Sequence, residues 1–275
     1  MSDTRPEGLQ KIKHIVAIAS GKGGVGKSTT TVNVALAMAK AGFKVGVLDA
    51  DIYGPSQGLM LGIAEGSHPE TMEEKWFVPI QAHGVSVMSM AFLVDANSPM
   101  VWRGPMAAGA LQQMLLQTNW GELDYLFVDM PPGTGDIQLT LCQKAQVSGA
   151  VIVTTPQDLA LLDARKGIEM FNKVKVPVLG IVENMSTHVC SQCNHEEAIF
   201  GAGGGDALAQ EYSTDLLASL PLSMAIRVLV DGGTPTVVAE PQSAAAHTYV
   251  KLAHALVSKL DVTSQSMPSI SIDED

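Results

Sequence analysis

Apolar residues fall along the chain in short continuous runs, and most runs are followed by a stretch with helical spacing. His14–Ala19 has the length of a strand, and Thr31–Ala41 repeats apolar residues at helical intervals until Gly42 ends the pattern. The same alternation predicts further strands at 44–49, 85–90, 125–129, 150–154, 178–183 and 216–220. Helices are predicted at 105–117, 137–146, 159–173 and 243–260, the first with Pro105 in the turn that tolerates a missing N–H. Continuous rather than alternating β-rich runs belong to strands covered on both faces. The chain therefore reads as α/β, a doubly wound, mainly parallel sheet with helices on both faces. Residues 63–80 are polar and irregular and read as an excursion from the core. No internal repeat is visible. The expected organisation is an N-terminal extension over 1–12, one domain over 13–260 and an acidic tail over 261–275, whose Ser, Pro and acidic content predicts disorder.

Composition narrows the picture. The 275 residues are 46% hydrophobic and 16% charged, which suits a large buried core. No apolar run reaches the ~18 residues of a membrane span. The first residues lack the basic-then-apolar layout of a signal peptide, so a cytoplasmic location is expected, with no membrane partner. Lys and Arg number 17 against 28 Asp and Glu, a formal charge of −11 that argues against nucleic-acid binding. Three cysteines are too few for a disulfide framework.

The chemistry is concentrated between the first strand and the first helix. Gly21-x4-Gly26-Lys27-Ser28 satisfies the phosphate-loop pattern, with a strand before it and a helix after it. Gly21, Gly23, Gly24, Val25, Gly26, Lys27, Ser28 and Thr29 form the expected nucleotide cradle. Glycines let backbone N–H groups converge on phosphate oxygens, and the helix directs its positive end to the same place. Lys27 is expected on the β- and γ-phosphates of ATP and Ser28 on Mg²⁺. Asp129 ends an apolar strand, as a Walker B aspartate does, and is the second expected Mg²⁺ ligand. Met130-Pro131-Pro132-Gly133-Thr134-Gly135-Asp136 follows it, and Gly133 can present its N–H to the γ-phosphate in a segment that relaxes when that phosphate leaves.

A second lysine, Lys22, makes the loop resemble the deviant Walker A motif K-G-G-x-G-K-[S/T]. The resemblance implies that Lys22 reaches across a two-fold axis to the partner's phosphates, and hence a homodimer. It also implies that Asp51, in Asp49-Ala50-Asp51, orients the attacking water, and that Asn184 bonds adenine; a strand-terminal turn is the plain alternative for Asn184. Asp49 could support Mg²⁺ or structure its loop.

Cys190-Ser191-Gln192-Cys193 lies in a hydrophilic stretch after a strand. A redox pair would ordinarily open a helix, which this segment does not. His188 and His195 flank the pair, but four side chains from eight residues hardly converge on one tetrahedral zinc ion. Half of a metal site shared across a two-fold axis is the remaining reading, because two chains supply four thiolates. Cys142 lies in an apolar helical stretch and reads as a buried small hydrophobe.

The ordered set of segments Gly21–Thr29, Leu48–Ser56, Trp102–Met106, Asp129–Asp136, Val182–Ser186, Cys190-x2-Cys193 and Phe200–Gly204 resembles the Mrp/ApbC family of iron–sulfur cluster carrier ATPases over roughly residues 12–260. The resemblance implies an ATPase that binds a [4Fe-4S] cluster between protomers and passes it from an assembly scaffold to apo-protein clients, with zinc able to substitute in aerobic preparations. Many members carry an extra N-terminal domain, for which the dozen residues before the first strand leave no room; a short form or a trimmed chain is expected. Two other functions compete: a positioning or partitioning ATPase of the same class, and a zinc-binding, nucleotide-dependent scaffold. The acidic C-terminus, ending Asp273-Glu274-Asp275, and the net charge disfavour the first.

Overall fold

A computed structural model describes residues 5–93, 104–190, 192–193 and 195–265. In chain order the strands are β1 (Ile12–Ala19), β2 (Val45–Asp49), β3 (Thr71–Met72), β4 (Trp76–Phe77), β5 (Ile80–Ala82), β6 (Val85–Ser89), β7 (Leu123–Asp129), β8 (Gly149–Thr154), β9 (Val178–Glu183), β10 (His188–Val189), β11 (Glu196–Glu197) and β12 (Leu216–Ser219). The helices are α1 (Lys27–Lys40), α2 (Gln57–Met60), α3 (Gly104–Leu116), α4 (Asp136–Ala145), α5 (Asp158–Lys173), α6 (Gly204–Glu211), α7 (Met224–Asp231), α8 (Thr236–Ala239) and α9 (Ala244–Gln265).

The main sheet has the order β12-β9-β8-β1-β7-β2-β6-β5. All its neighbours pair in parallel except β5, which runs antiparallel to β6 at the edge. β1 lies inside the sheet because both its faces are apolar: Ile15, Val16, Ala17 and Ile18 are fully buried. Full burial of one such large aliphatic side chain contributes about 1.5–3 kcal/mol. Register brings the carboxyl ends of the central strands level, with Ile18 opposite Asp129, Asp49 opposite Asp129 and Asp49 opposite Ser89. Ligands of open α/β sheets bind outside this edge, where strand order reverses.

The predicted doubly wound α/β sheet is therefore present, with local corrections. Residues 63–80 are not wholly irregular: β3 and β4 form a small hairpin there, and β5, which begins at Ile80, joins the sheet. Their two- and three-residue strands are too short to leave a periodic signature. The last helix runs past Leu260 to Gln265, so residues 261–265 of the expected tail are helical; Leu252, Leu256 and Leu260 bury one face of the helix, which holds it. The remainder of that tail lies outside the described residues. The expected extension over 1–12 is partly core, since Leu9 is fully buried and β1 starts at Ile12. Helices α2, α6, α7 and α8 were not anticipated. They have only four to eight residues each. Asn33 of α1 secures α8, its Oδ1 accepting from Val237 N at 3.1 Å.

Candidate functional site

The loop after β1 is shaped by glycine. Gly24 and Gly26 have φ of 82° and 85°, left-handed values that side chains disfavour. Gly21 is required for another reason: a Cβ there would lie 2.1 Å from the carbonyl carbon of Asp163, so α5 packs directly on the loop. Around Gly23 and Gly24 a Cβ would meet nothing within 4 Å, which leaves an open cradle facing the start of α1.

Behind the cradle lies an acidic centre. The Lys27 ammonium is buried and donates to Asp129 Oδ1 at 2.6 Å and to Ser28 Oγ at 3.2 Å, with Asp51 Oδ2 at 3.7 Å. Asp129 also accepts from Thr31 Oγ1 at 3.1 Å and, through Oδ2, from Gln57 Nε2 at 2.9 Å. Lys27, Ser28, Asp51 and Asp129, singled out separately in the sequence, therefore converge. Asp49 does not present a free carboxylate. Its Oδ2 accepts from the backbone N–H groups of Ser56 and Gln57 and from Ser89 Oγ, and its Oδ1 accepts from Asp51 N. Of the two roles left open for Asp49, the geometry selects the loop-structuring one. Burial pushes its carboxyl up to about 7, helped by the charge of Asp129 and offset in part by these donors and by Lys27.

Gly133 donates its N–H to the Ser20 carbonyl at 3.0 Å and has φ of 94°, so the segment after β7 lies against the phosphate loop. Gln138 holds that segment by donating to the carbonyls of Pro131 and Pro132. Lys22 is half-exposed, and among the described residues its ammonium makes no ion pair; its carbonyl accepts from Ser20 Oγ. Asn184 borders the loop too. Its Nδ2 donates to the Val25 carbonyl at 2.9 Å and lies where a Cβ on Gly26 would be. Thr29 contributes a carbonyl that accepts from Asn33.

The cysteine segment is a hairpin rather than a plain loop. β10 and β11 pair antiparallel, and the Cys190 N–H donates to the His195 carbonyl at 2.9 Å. Cys193 is exposed at the tip and Cys190 half-buried; burial of Cys142 pushes its thiol up to about 12. Backbone N–H groups of Gln192 and Cys193, then the Cys193 side chain, bring the Cys190 thiol below its ordinary value, which favours a metal-binding thiolate. His188 is engaged elsewhere, its Nδ1 donating to the Leu222 carbonyl at 3.2 Å. Among the described residues no three His, Cys, Asp or Glu side chains group to hold a metal ion.

Residues 11–257 match the ParA family, described as the NUBPL iron-transfer P-loop NTPase. The chain belongs to this family. A curated relative in Pseudomonas fragi, an iron-sulfur cluster carrier protein, is 66% identical over 246 residues, 90% of this chain and 86% of the relative. A solved nucleotide-binding protein from Archaeoglobus fulgidus, in complex with ADP, is 40% identical with a TM-score of 0.74 and covers 86% of this chain and 92% of its own. The cell division ATPase MinD of Pyrococcus furiosus matches at TM-score 0.68 but 24% identity, over 90% of this chain and 99% of its own, a likeness of fold alone. The P-loop NTPase fold and the resemblance drawn from the motifs agree with these relatives. Among the described residues no helix is long and apolar enough to cross a membrane.

Sequence reasoning missed Thr31, Gln57, Ser89 and Gln138. Thr31 had a legible signal, one helical turn beyond Lys27. Gln57 and Ser89 had none, because each reaches the site through a fold contact distant in sequence, and Gln138 had none because nothing in a helix residue's type marks a turn back to carbonyls six and seven residues before it. Trp102 and Arg103 lie outside the described residues.

Proposed function

We propose that this protein is a cytoplasmic ATP-binding and ATP-hydrolysing carrier whose homodimer holds one [4Fe-4S] cluster as cargo and passes it from an assembly scaffold to apo-protein clients. The observation that carries this reading is the presence of two thiols on a short hairpin and of a phosphate loop in one fold, with Asn184, six residues before Cys190, bonded to the loop at Val25. The names of the carrier relatives support the cargo, and the ADP complex of the Archaeoglobus relative supports the nucleotide.

The residues fit a magnesium–nucleotide complex. Two carboxylates, Asp129 and Asp51, lie 2.6 and 3.7 Å from the Lys27 ammonium, and Gln57 Oε1 and Ser56 Oγ are buried nearby without a hydrogen-bond partner among the described residues. Ser28 and Asp129 would hold Mg²⁺, which neutralises charge on the phosphate oxygens. Lys27 exchanges its carboxylate partners for the β- and γ-phosphates. Asp51 orients the attacking water, the N–H of Gly133 leaves the Ser20 carbonyl for the γ-phosphate, and Asn184 turns from Val25 to the adenine. Lys22, half-exposed at the cradle, supplies charge to the partner's nucleotide.

Cys190 and Cys193 are soft ligands suited to iron–sulfur cargo, and two chains complete a four-thiolate set. Zinc competes for the same set in air. The test is iron and sulfide per chain after anaerobic reconstitution. About two of each per chain is expected for a bridging cluster, and Cys190→Ala and Cys193→Ala should each abolish it. Twice that content, or undiminished iron in either variant, would end the bridging reading and leave the ATPase reading standing.

A further inference from the structure

Gln57 is the fully buried first residue of α2, and it is tied to the acidic centre at both ends. Its backbone N–H donates to Asp49 Oδ2 at 3.0 Å. Its side-chain amide donates one way to Asp129 Oδ2 at 2.9 Å and the other way to the Ser28 carbonyl at 3.1 Å. Both acceptors can only accept, so the amide's orientation is determined by its partners. The two contacted residues are the two assigned to Mg²⁺, one on the strand end and one on the phosphate loop. Oε1 is left buried with no donor among the described residues. A buried acceptor of this kind is ordinarily paired, and its exceptions cluster at functional sites. An amide that served only to fill the core would gain nothing from an orphaned oxygen in place of a methyl group.

We propose that Gln57 is a positioning residue of the magnesium site: it holds the Asp129 carboxylate at a fixed distance from Ser28, and its Oε1 accepts a hydrogen bond from the ion's water shell. The inference rests on the magnesium–nucleotide reading above and assigns a residue outside it. Groups of this kind orient a metal's ligands without touching the metal, and their loss commonly weakens affinity by about 10–100-fold. The same side chain connects the loop after β2 to the phosphate loop, so a shift at Asp51 and a shift at Ser28 would both be felt at Asp129.

The probe is Mn²⁺, followed by electron paramagnetic resonance on the full chain with a non-hydrolysable ATP analogue. Gln57→Met keeps the length and removes every polar atom; Gln57→Asn keeps the amide and shortens its reach. Both should bind Mn²⁺ at least ~10-fold more weakly, while affinity for the metal-free analogue in chelator stays native. Native Mn²⁺ affinity in either folded variant would overturn the proposal, and so would an equal loss with and without metal, which marks a merely structural role. Asp129→Asn separates the two readings. If the native chain binds no Mn²⁺ with the analogue, the magnesium reading itself fails. If Asp129→Asn loses the ion and Gln57→Met keeps it, only the role of Gln57 fails. Should neither Gln57 variant fold, ¹⁵N-glutamine labelling of the native chain decides: the Gln57 amide resonances should move when Mg²⁺ joins the analogue complex, and unmoved resonances would sink the idea.

Discussion

Lys27 and Asp51 are 3.7 Å apart, yet their loss should be felt at different stages of the reaction. Lys27 is the cation of the cradle, so Lys27→Ala should abolish nucleotide binding by calorimetry. Asp51 is proposed to act on water, so Asp51→Ala should bind the ATP analogue within about twofold of native while turnover falls on the order of 10²-fold or more. Native turnover in Asp51→Ala would remove it from the mechanism. Asp49 makes a separate prediction through its proton. In the unfolded chain its carboxyl titrates at its ordinary 3.8, and in the folded chain it keeps the proton to about 7. Between those values the folded state binds the extra proton, so this group's contribution to stability falls as pH rises from about 4 to about 7 and stays lost above that. Metal-free protein should therefore take up a proton on refolding near pH 6, measurable by unbuffered titration. Asp49→Asn should lack that uptake; equal uptake by native protein and variant would contradict the raised value.

Single elements explain what the sequence could and could not show. β1, the phosphate loop and α1 are contiguous, and their signals are local: an apolar run, glycines at fixed offsets and helical spacing. The same holds for β7 with Asp129 and Gly133. Convergence of those segments was legible because fixed motifs carry their geometry with them. The hairpin around Cys190 was not, since β10 and β11 have two residues each and owe their pairing to the Thr187–Leu222 region beneath them. Gln57 was illegible for a similar reason: nothing local marks a glutamine whose partners lie 29 and 72 residues away. Two glycines of the loop separate packing from ligand space. A Cβ at Gly21 would strike the Asp163 backbone, and a Cβ at Gly23 would strike nothing. Gly21→Ala should therefore lower stability by about 1–3 kcal/mol as α5 is displaced. Gly23→Ala should leave the urea midpoint unchanged and weaken ATP-analogue binding, because its methyl enters the space proposed for phosphate. Equal unfolding midpoints for the two variants would refute the assignment of Gly21 to packing.

At the scale of the whole molecule, one chain is incomplete for both proposed tasks. It offers two thiols where a cluster needs four ligands, and Lys22 projects from a cradle that already holds Lys27. In the proposed homodimer both gaps would close with one two-fold operation, which would make each protomer's lysine a component of its partner's site. Mixing variants tests this directly. Lys22→Ala and Asp51→Ala should each be inactive alone, the first lacking charge from across the axis and the second lacking its own water-orienting carboxylate. In a mixed dimer, the nucleotide site of the Lys22→Ala chain keeps its own Asp51 and receives Lys22 from its partner, so it is whole. The other site lacks both. With random pairing of equal amounts, half the dimers are mixed and half their sites are whole, so turnover should recover to roughly a quarter of native. If Lys22 instead served its own chain's nucleotide, no mixed dimer would contain a whole site, and the mixture would stay as inactive as its parts. Recovery should vanish when both substitutions are placed on one chain and mixed with either parent, because no pairing then assembles a complete site. Persistent inactivity of the first mixture, with mixed dimers demonstrated by mass spectrometry, would end the cross-subunit role of Lys22.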